Sequence, residues 1–175
     1  TTESTRPAVA ELATDFDLEL AEDAPGMARE LDEDLSDSTS VAEIARVTDE
    51  TELGAYLTVF TAAFGPPREY AEAVTPPSIL ADEAIEVFVG RVDDEPVASG
   101  LLARTDDVAG VYNIGVVEGY RRQGIGEAMT RAVLRTGLDA GCRVAVLQSS
   151  EMAVPLYDDL GFETVVTYHH FAPAT

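Results

Sequence analysis

Apolar residues recur at helical spacing between residues 49 and 65 of the chain. The set on the inner side of the helix is Leu53, Tyr56, Leu57, Phe60 and Phe64. Asp49 followed by Glu52 has the spacing of a helix N-cap with a returning carboxylate three positions later. Gly65 and Pro66 stop the pattern. The segment therefore predicts an amphipathic helix that begins after Asp49 and ends before Gly65.

Short apolar runs bounded by turn signals predict strands in the rest of the chain. These runs are 40–47, 85–92, 96–104, 111–117, 142–148 and 162–171. The turns at 93–95 and 105–110 are short, so the three middle strands form an antiparallel meander. Shorter helices are predicted over about 67–74 and 155–160. The order of elements predicts an α/β (α+β) fold, with a mixed, mostly antiparallel central sheet flanked by helices.

A further helix is predicted over residues 124–140, directly after the strand at 111–117. Ile125, Met129, Val133 and Leu134 recur on one face of it and should point into the core. Gly141 follows as a typical C-terminal stop signal.

Residues 1–40 contain twelve acidic residues, two arginines and few large apolar side chains. Turn signals occur at Pro25-Gly26 and over 36–40. The stretch from residue 16 to 35 suits a strand followed by a short helix, and equally a loosely ordered arm. We therefore divide the chain into an acidic N-terminal appendage, 1–40, and one folded domain, 41–175.

The charge of the chain is unusual, because 33 acidic residues face eleven arginines and no lysine, which gives a formal net charge of -22. Such an excess of carboxylates resembles the composition of halophilic archaeal proteins, which remain hydrated in concentrated salt. It also argues against nucleic acid and anionic membranes as partners. Neither a membrane-spanning run nor a signal peptide is visible, so we expect a cytoplasmic protein. The oligomeric state stays open, a homodimer included.

Metal and disulfide chemistry are not expected. Cys142 is the single cysteine, and one cysteine beside two histidines is a poor ligand set. His169 and His170 are adjacent on a predicted strand, so their side chains face opposite sides and cannot share a site.

The stretch "GYRRQGIG" (119–126) lies at the predicted turn from a strand into a helix. The first N–H groups of a helix lack partners, and the macrodipole favours an anion there. Glycines let a diphosphate approach this backbone closely, so Gln123, Gly124, Ile125 and Gly126 predict a pyrophosphate-binding turn.

Arginines cluster around this turn. Four of the eleven lie between residues 121 and 135, where Glu127 is the only acid. For Arg122 we favour phosphate binding. For Arg131 and Arg135 we favour surface positions, paired along the helix with Glu127 at i,i+4 spacing.

The motif is neither a dinucleotide fingerprint, since no third glycine follows at the right spacing, nor a P-loop, since it has no lysine. It resembles the acetyl-CoA signature of the GNAT superfamily of N-acetyltransferases, Arg/Gln-x-x-Gly-x-Gly/Ala, here residues 121–126. The later stretch "SSEMAVPLYDDLGF" resembles the family's segment ending in Leu-Tyr-x-x-Leu-Gly-Phe. With the predicted elements, the resemblance covers residues 41 to about 170.

The resemblance implies an acetyl-CoA site. The pantetheine arm of acetyl-CoA would pair like an extra strand with the backbone of Ile114, Gly115 and Val116. The N–H at or near Val116 would also face the thioester oxygen and stabilise an oxyanion there. The turn and helix start would bind the diphosphate through Arg121, Arg122, Gln123, Gly124, Ile125, Gly126 and Glu127.

Two residues of the later motif stand at functional positions of the family. Ser150 stands where the family usually has asparagine, so it either contacts the cofactor or caps a helix. Tyr157 is the candidate catalytic residue, because a phenol near the sulfur could protonate the departing CoA thiolate as general acid. The plainer interpretation of Tyr157 is a half-buried packing residue.

No general base is identified from the sequence, and Glu86, Glu118 or an ordered water are the alternatives. Tyr112 and Asn113 face either an acceptor pocket or the sheet surface. The sequence thus predicts an acetyl-CoA-dependent N-acetyltransferase that acts directly on a primary amine of a small molecule or protein. The alternative is a non-catalytic CoA-binding regulatory or structural module.

Overall fold

The computed structural model describes residues 6–33, 35 and 40–174. The helices are α1 (Arg6–Asp15), α2 (Glu50–Phe64), α3 (Arg68–Val74), α4 (Ile125–Asp139) and α5 (Val154–Asp159). The strands are β1 (Leu18–Glu30), β2 (Glu43–Arg46), β3 (Ile85–Val92), β4 (Glu95–Thr105), β5 (Val108–Val116), β6 (Val144–Gln148) and β7 (Glu163–Pro173). Short 3-10 helices cover Pro77–Ala81, Glu118–Tyr120 and Glu151–Ala153. None of the helices in these ranges is long and apolar enough to cross a bilayer.

The described strands number seven, and they form a mostly antiparallel sheet flanked by helices. The predicted mixed α/β fold is therefore confirmed. The chain divides into two compact units, a central unit of Glu30–Ala145 and a terminal unit that combines the described residues up to Arg29 with those from Val146 onward. The domain boundary placed at residue 40 stays a prediction.

Strands β2, β3, β4 and β5 of the central unit are neighbours in that order and pair antiparallel. The meander predicted for the three middle strands, β3 to β5, is confirmed. The β3–β4 turn places Asp93 and Asp94 at φ of 49° and 66°, as a tight hairpin requires. The β4–β5 turn is shorter than predicted, because only Asp106 and Asp107 separate the strands. Asp106 takes a φ of 52° there.

Helix α2 begins and ends where the sequence predicts. The Asp49 carboxylate accepts the N–H of Glu52 over 2.9 Å, and Gly65 closes the helix at a φ of 85°. The Glu52 carboxylate does not return to Asp49. It pairs instead with Arg91 of β3 over 2.8 Å, which joins the first turn of α2 to the sheet.

The core of the central unit lies between α2 and the sheet. Its buried members include Leu53, Tyr56, Leu57, Phe60, Val87, Val89 and Leu101. Burying each large apolar side chain contributes roughly 1.5–3 kcal/mol. Phe64 departs from the prediction, because it is 51% exposed at the end of α2. The four inward-facing residues predicted for α4 are all buried.

Strand β1 of the terminal unit pairs antiparallel with β7, from Leu18 opposite Pro173 to Ala28 opposite Glu163. The strand predicted in the acidic segment is thus confirmed, and the loosely ordered arm is wrong for residues 18–30. The helix predicted to follow is absent from the described residues of that stretch.

Pro25 and Gly26 lie inside β1, so their interpretation as a turn is wrong. A Cβ at Gly26 would lie 2.5 Å from the Val166 side chain and 2.6 Å from that of Tyr168. Glycine is needed here because side chains of β7 pack directly against its Cα, where a Cβ would otherwise lie.

The histidines and the cysteine take structural positions. His169 is buried, with Nδ1 2.6 Å from the Asp23 carboxylate, and His170 is exposed on the other face of β7, as predicted. No group of metal-binding side chains occurs among the described residues. Cys142 is 2% exposed, and burial raises the pKa of its thiol.

Candidate functional site

Strand β5 contains a bulge at its centre. Leu101 of β4 lies opposite Tyr112 and Ser99 lies opposite Gly115, so Asn113 and Ile114 together face the single residue between them on β4. Asn113 takes a φ of 55°, in the left-handed region that asparagine tolerates better than most residues. The bulge interrupts β5 within the stretch that the sequence assigns to the pantetheine arm.

Two buried hydroxyl groups bind Asn113. The Ser99 hydroxyl donates to the Asn113 backbone carbonyl over 2.9 Å. The Asn113 side-chain amide donates to the Tyr56 phenol, also over 2.9 Å. Ser99 and Tyr56 are both 0% exposed, and burial raises the pKa of Tyr56 to about 12. The phenol is therefore neutral at physiological pH.

The backbone of Val116 points away from β4. The N–H of Val117 donates to the carbonyl of Val97 over 2.9 Å, and bonding direction alternates between neighbours in an antiparallel pair. The N–H and carbonyl of Val116 therefore point to the other side of β5. Arg121 reaches this carbonyl with Nε over 3.0 Å.

The side chains around the bulge face opposite sides of the sheet. A Cβ at Gly115 would lie 2.7 Å from the Phe64 ring, so glycine lets the end of α2 approach β5. The half-buried Ile114 side chain faces the other side and lies beside Met129 of α4, at the position where Gly100 leaves space. The assignment of the Ile114 backbone to a ligand stays a prediction.

Helix α4 begins without a side-chain cap. Gly124 is the N-cap residue, at a φ of 76°, and its carbonyl accepts the first helical hydrogen bond from Ala128. The N–H groups of Ile125, Gly126 and Glu127 have no acceptor within the helix. A Cβ at Gly124 would meet no atom within 4 Å, so there is open space beside this residue.

The polar side chains of the turn differ in their contacts. Arg122 is exposed, with its backbone at a φ of 62°, and forms no hydrogen bond or ion pair with another residue that the structure describes. Gln123 reaches back to the carbonyl of Gly119 over 3.4 Å. Arg122 is thus the guanidinium of this turn that remains available.

The arginines farther along α4 are half-buried and not fully exposed surface residues as predicted. Arg131 pairs with Glu127 over 2.9 Å, as predicted from the i,i+4 spacing. Arg135 donates to the backbone carbonyl of Leu35. The pairing with Glu127 is wrong for Arg135, because it lies two turns along the helix, beyond the reach of i,i+4 contacts.

Ser150 and Tyr157 belong to the terminal unit. Ser150 precedes the short 3-10 helix and forms no capping hydrogen bond through its side chain. Tyr157 of α5 is 6% exposed, and its ring packs edge-on against Phe162 with centroids 5.7 Å apart. Burial raises the pKa of Tyr157 to about 12.

The candidate bases occupy different surroundings. Glu86 is buried, with Arg46 3.0 Å from one carboxylate oxygen and Arg104 3.9 Å from the other. This carboxylate is engaged in a structural ion-pair cluster. Glu118 is exposed on the 3-10 helix that follows β5, and Tyr112 is 48% exposed on β5.

Sequence reasoning missed the contribution of Tyr56 and Ser99 to this site. Tyr56 follows the helical apolar period, and Ser99 lies in an apolar strand, so both resemble ordinary core positions. The one signal in the sequence is Asn113, a residue with low strand propensity in the middle of β5.

A family model described as "Acetyltransferase (GNAT) family" matches residues 50–162. The match includes the bulge, the uncapped turn and Tyr157. Among curated proteins, no sequence matches the chain.

Solved structures share the fold. A GCN5-related N-acetyltransferase from Kribbella flavida is 22% identical with a TM-score of 0.76, over 99% of this chain and 66% of that one. A GCN5-related N-acetyltransferase from Sphaerobacter thermophilus is 20% identical with a TM-score of 0.77, over 99% of this chain and 58% of that one. This chain therefore spans less than two thirds of the length of either protein.

A third structure is AAC(6')-Iy in complex with the bisubstrate analog CoA-S-monomethyl-acetylneamine. It is 20% identical with a TM-score of 0.61, over 70% of this chain and 90% of that one. At these identities the similarity establishes the fold.

Proposed function

Since the chain belongs to the acetyltransferase (GNAT) family, we propose that it transfers an acetyl group from acetyl-CoA directly to a primary amine. The transfer would need no covalent enzyme intermediate. The acceptor would be a small molecule or a protein side chain.

The open N-terminus of α4 carries this proposal. Three N–H groups have no helical acceptor, a Cβ at Gly124 would meet open space, and Arg122, two residues earlier, is exposed. Such a turn suits an anion, because the helix dipole and the N–H groups both favour negative charge. We assign it to the diphosphate of acetyl-CoA, with Arg121, Gln123, Ile125, Gly126 and Glu127 completing the turn.

We assign the pantetheine arm to the backbone of Ile114, Gly115 and Val116. The cosubstrate supplies the thioester whose carbonyl the amine attacks. The N–H of Val116 points away from β4, and we propose that it donates to the oxygen that becomes negative during the attack. The bulge at Asn113 supports this assignment, because it interrupts the regular pairing of β5 at this point.

We propose that Tyr157 donates the proton that the departing thiolate needs. This proposal is based on the Leu-Tyr-x-x-Leu-Gly-Phe match and on the protonation state of the residue. A phenol with a pKa of about 12 is protonated throughout the neutral range, as a general acid must be. Ser150 is retained as a candidate cofactor contact, since its hydroxyl forms no cap.

The acceptor would bind on the α2 side of β5, beside the exposed rings of Tyr112 and Phe64. The paired Glu86 makes Glu118 or a water molecule the better proposal for the base. An amino sugar is one acceptor class to include in the test, because AAC(6')-Iy is similar in fold and its printed ligand contains acetylneamine.

The setting of the reaction is also a proposal. With a formal charge of -22, we propose that the protein works in a salt-rich cytoplasm, without nucleic acid or membrane partners. At about 1 M salt the Debye length is roughly 3 Å, so direct contacts would decide phosphate affinity in spite of the acidic surface.

The test is a screen of amines in concentrated KCl. CoA release is monitored by detection of its free thiol. Amino sugars, polyamines and lysine peptides form the acceptor panel. Release that requires both acetyl-CoA and an amine supports the transferase. Acetyl-CoA binding without release for any acceptor would instead favour the non-catalytic module.

A further inference from the structure

We propose that Tyr56 and Ser99 are positioning residues that hold the β5 bulge in the conformation in which Val116 presents its N–H. This inference rests on the proposed function, because that function assigns the Val116 N–H to the thioester oxygen. It concerns residues that would touch neither acetyl-CoA nor the acceptor. Tyr56 and Ser99 would act through Asn113.

The first step of the argument is the conformation of Asn113. At a φ of 55° asparagine is less favourable than glycine, although it tolerates this region better than most residues, so contacts that stabilise the conformation matter. Ser99 supplies a hydrogen bond to the Asn113 carbonyl, and Tyr56 accepts one from the Asn113 side chain. Both ends of the residue are thereby fixed.

The second step is burial. Ser99 and Tyr56 are fully buried, so neither hydroxyl can exchange its partner for bulk water. A buried polar group left without a partner is unfavourable, which gives these two hydrogen bonds a strong preference for one geometry. Burial also raises the pKa of Tyr56, so its phenol does not ionise at any physiological pH.

The third step is the position of the bulge in β5. Ile114 follows Asn113, and Gly115 and Val116 come next, so a change in the Asn113 backbone rotates the peptide groups that lead to Val116. Helix α2 contacts this stretch at Tyr56, which binds Asn113, and at Phe64, which packs on Gly115. The bulge is therefore held from helix α2 as well as from strand β4.

The experiment uses the full chain and a double-mutant cycle. Tyr56→Phe removes the phenol and keeps the ring, and Asn113→Gly allows a positive φ without the side-chain amide. We expect Tyr56→Phe to weaken acetyl-CoA binding roughly three- to tenfold in calorimetry, as a lost hydrogen bond would. The same substitution in the Asn113→Gly background should then have no further effect.

Leu53→Ala is the matched control. Leu53 lies one turn before Tyr56 on α2 and is 2% exposed in the same core, but it makes only apolar contacts there. This variant should lower the melting temperature at least as much as Tyr56→Phe, with unchanged affinity of the folded protein. Equal losses of affinity in the two variants would mean that Tyr56 acts through general stability, and would overturn the proposal.

Hydrogen exchange of the Gly115 amide, which lies opposite Ser99 in the β4–β5 pair, gives a second readout, independent of acetyl-CoA. Tyr56→Phe and Ser99→Ala should each speed exchange at this amide beyond the change seen in the other strands of the central unit. Leu53→Ala should not single it out. If wild-type chain binds no acetyl-CoA, the proposed function fails, and this readout still decides whether Tyr56 and Ser99 hold the bulge. Uniform exchange changes in all variants would refute it.

Discussion

Arg121 donates a hydrogen bond from Nε to the backbone carbonyl of Val116, with 3.0 Å between the two atoms. This contact joins the turn before α4 to the end of β5. The two parts of the chain that we assign to the diphosphate and to the pantetheine arm are therefore held in a fixed relation. It also separates the roles of the adjacent arginines, because Arg121 binds the backbone and Arg122 forms no hydrogen bond or ion pair with another described residue.

Replacing Gly124 with alanine should weaken acetyl-CoA binding. The new Cβ would stand in the open space where we place the diphosphate, and the φ of 76° would cost about 1 kcal/mol of stability. Gly141→Ala is the control, since Gly141 has a φ of 91°, open space at its Cβ, and a position beyond the other end of α4. Both variants should lose similar stability in urea unfolding, and only Gly124→Ala should lose affinity in calorimetry. Equal affinity in the two would place the diphosphate elsewhere.

Arg122→Gly should lower the affinity for acetyl-CoA without lowering the stability of the protein. Glycine adopts the φ of 62° without strain, so the melting temperature should not fall, whereas the affinity for acetyl-CoA should drop about tenfold or more through loss of a phosphate contact. Asp106→Gly makes the same backbone change at a φ of 52° in the β4–β5 turn and should leave affinity unchanged. Unaltered binding by Arg122→Gly would remove this arginine from the site.

Tyr157→Phe should slow acetyl transfer and leave acetyl-CoA affinity unchanged. The ring keeps its packing on Phe162, while the thiolate loses its proton donor. General acid catalysis contributes roughly 10²- to 10⁴-fold, so a decrease of that size is expected in single-turnover measurements. Wild-type rates in this variant would make Tyr157 a packing residue.

The protein should lose stability at alkaline pH through its buried phenols. Burial raises the pKa values of Tyr56 and Tyr157 from 10.0 to about 12, which favours the neutral form in the folded state. Their contribution, on the order of 3 kcal/mol for each phenol, is therefore fully present below pH 10 and is lost as the pH rises toward 12. The free energy of unfolding, measured in urea, should fall less between pH 9 and pH 11 for Tyr56→Phe than for wild type. An identical pH dependence would argue against the raised pKa of Tyr56.

Removing residues 1–40 should leave a chain that self-associates. The deletion strips β1 from β7 along their whole register and exposes the backbone groups of β7. All the residues that we assign to acetyl-CoA lie between 114 and 157, so any soluble, folded fraction should retain binding. Light scattering and calorimetry on the truncated chain test the two parts of this prediction. Loss of binding by a monomeric, folded truncation would assign part of the site to the N-terminal segment.

Local signals account for what the sequence predicted well. Asp49 and Gly65 act on groups three or four residues away, so the ends of α2 could be located from the sequence. The uncapped turn at Gly124 is equally local, since it needs only a strand, a glycine and a helix start.

Contacts between distant residues explain the failures. Gly26 was interpreted as a turn because its actual function, space for Val166 and Tyr168, depends on a strand about 140 residues later. The bulge at Asn113 depends on Tyr56 and Ser99. In the sequence these residues look like ordinary core residues, and only the fold brings their hydroxyl groups to Asn113.

Because the thiol of Cys142 is buried, the folded protein should not react with thiol reagents. Reaction requires an accessible thiolate, and Cys142 is 2% exposed with a raised pKa. In the CoA-release assay, the signal from an intact sample therefore comes from the cofactor alone. An unfolded chain contributes one thiol, so a control without acetyl-CoA counts the denatured fraction of each variant under the salt conditions of the assay.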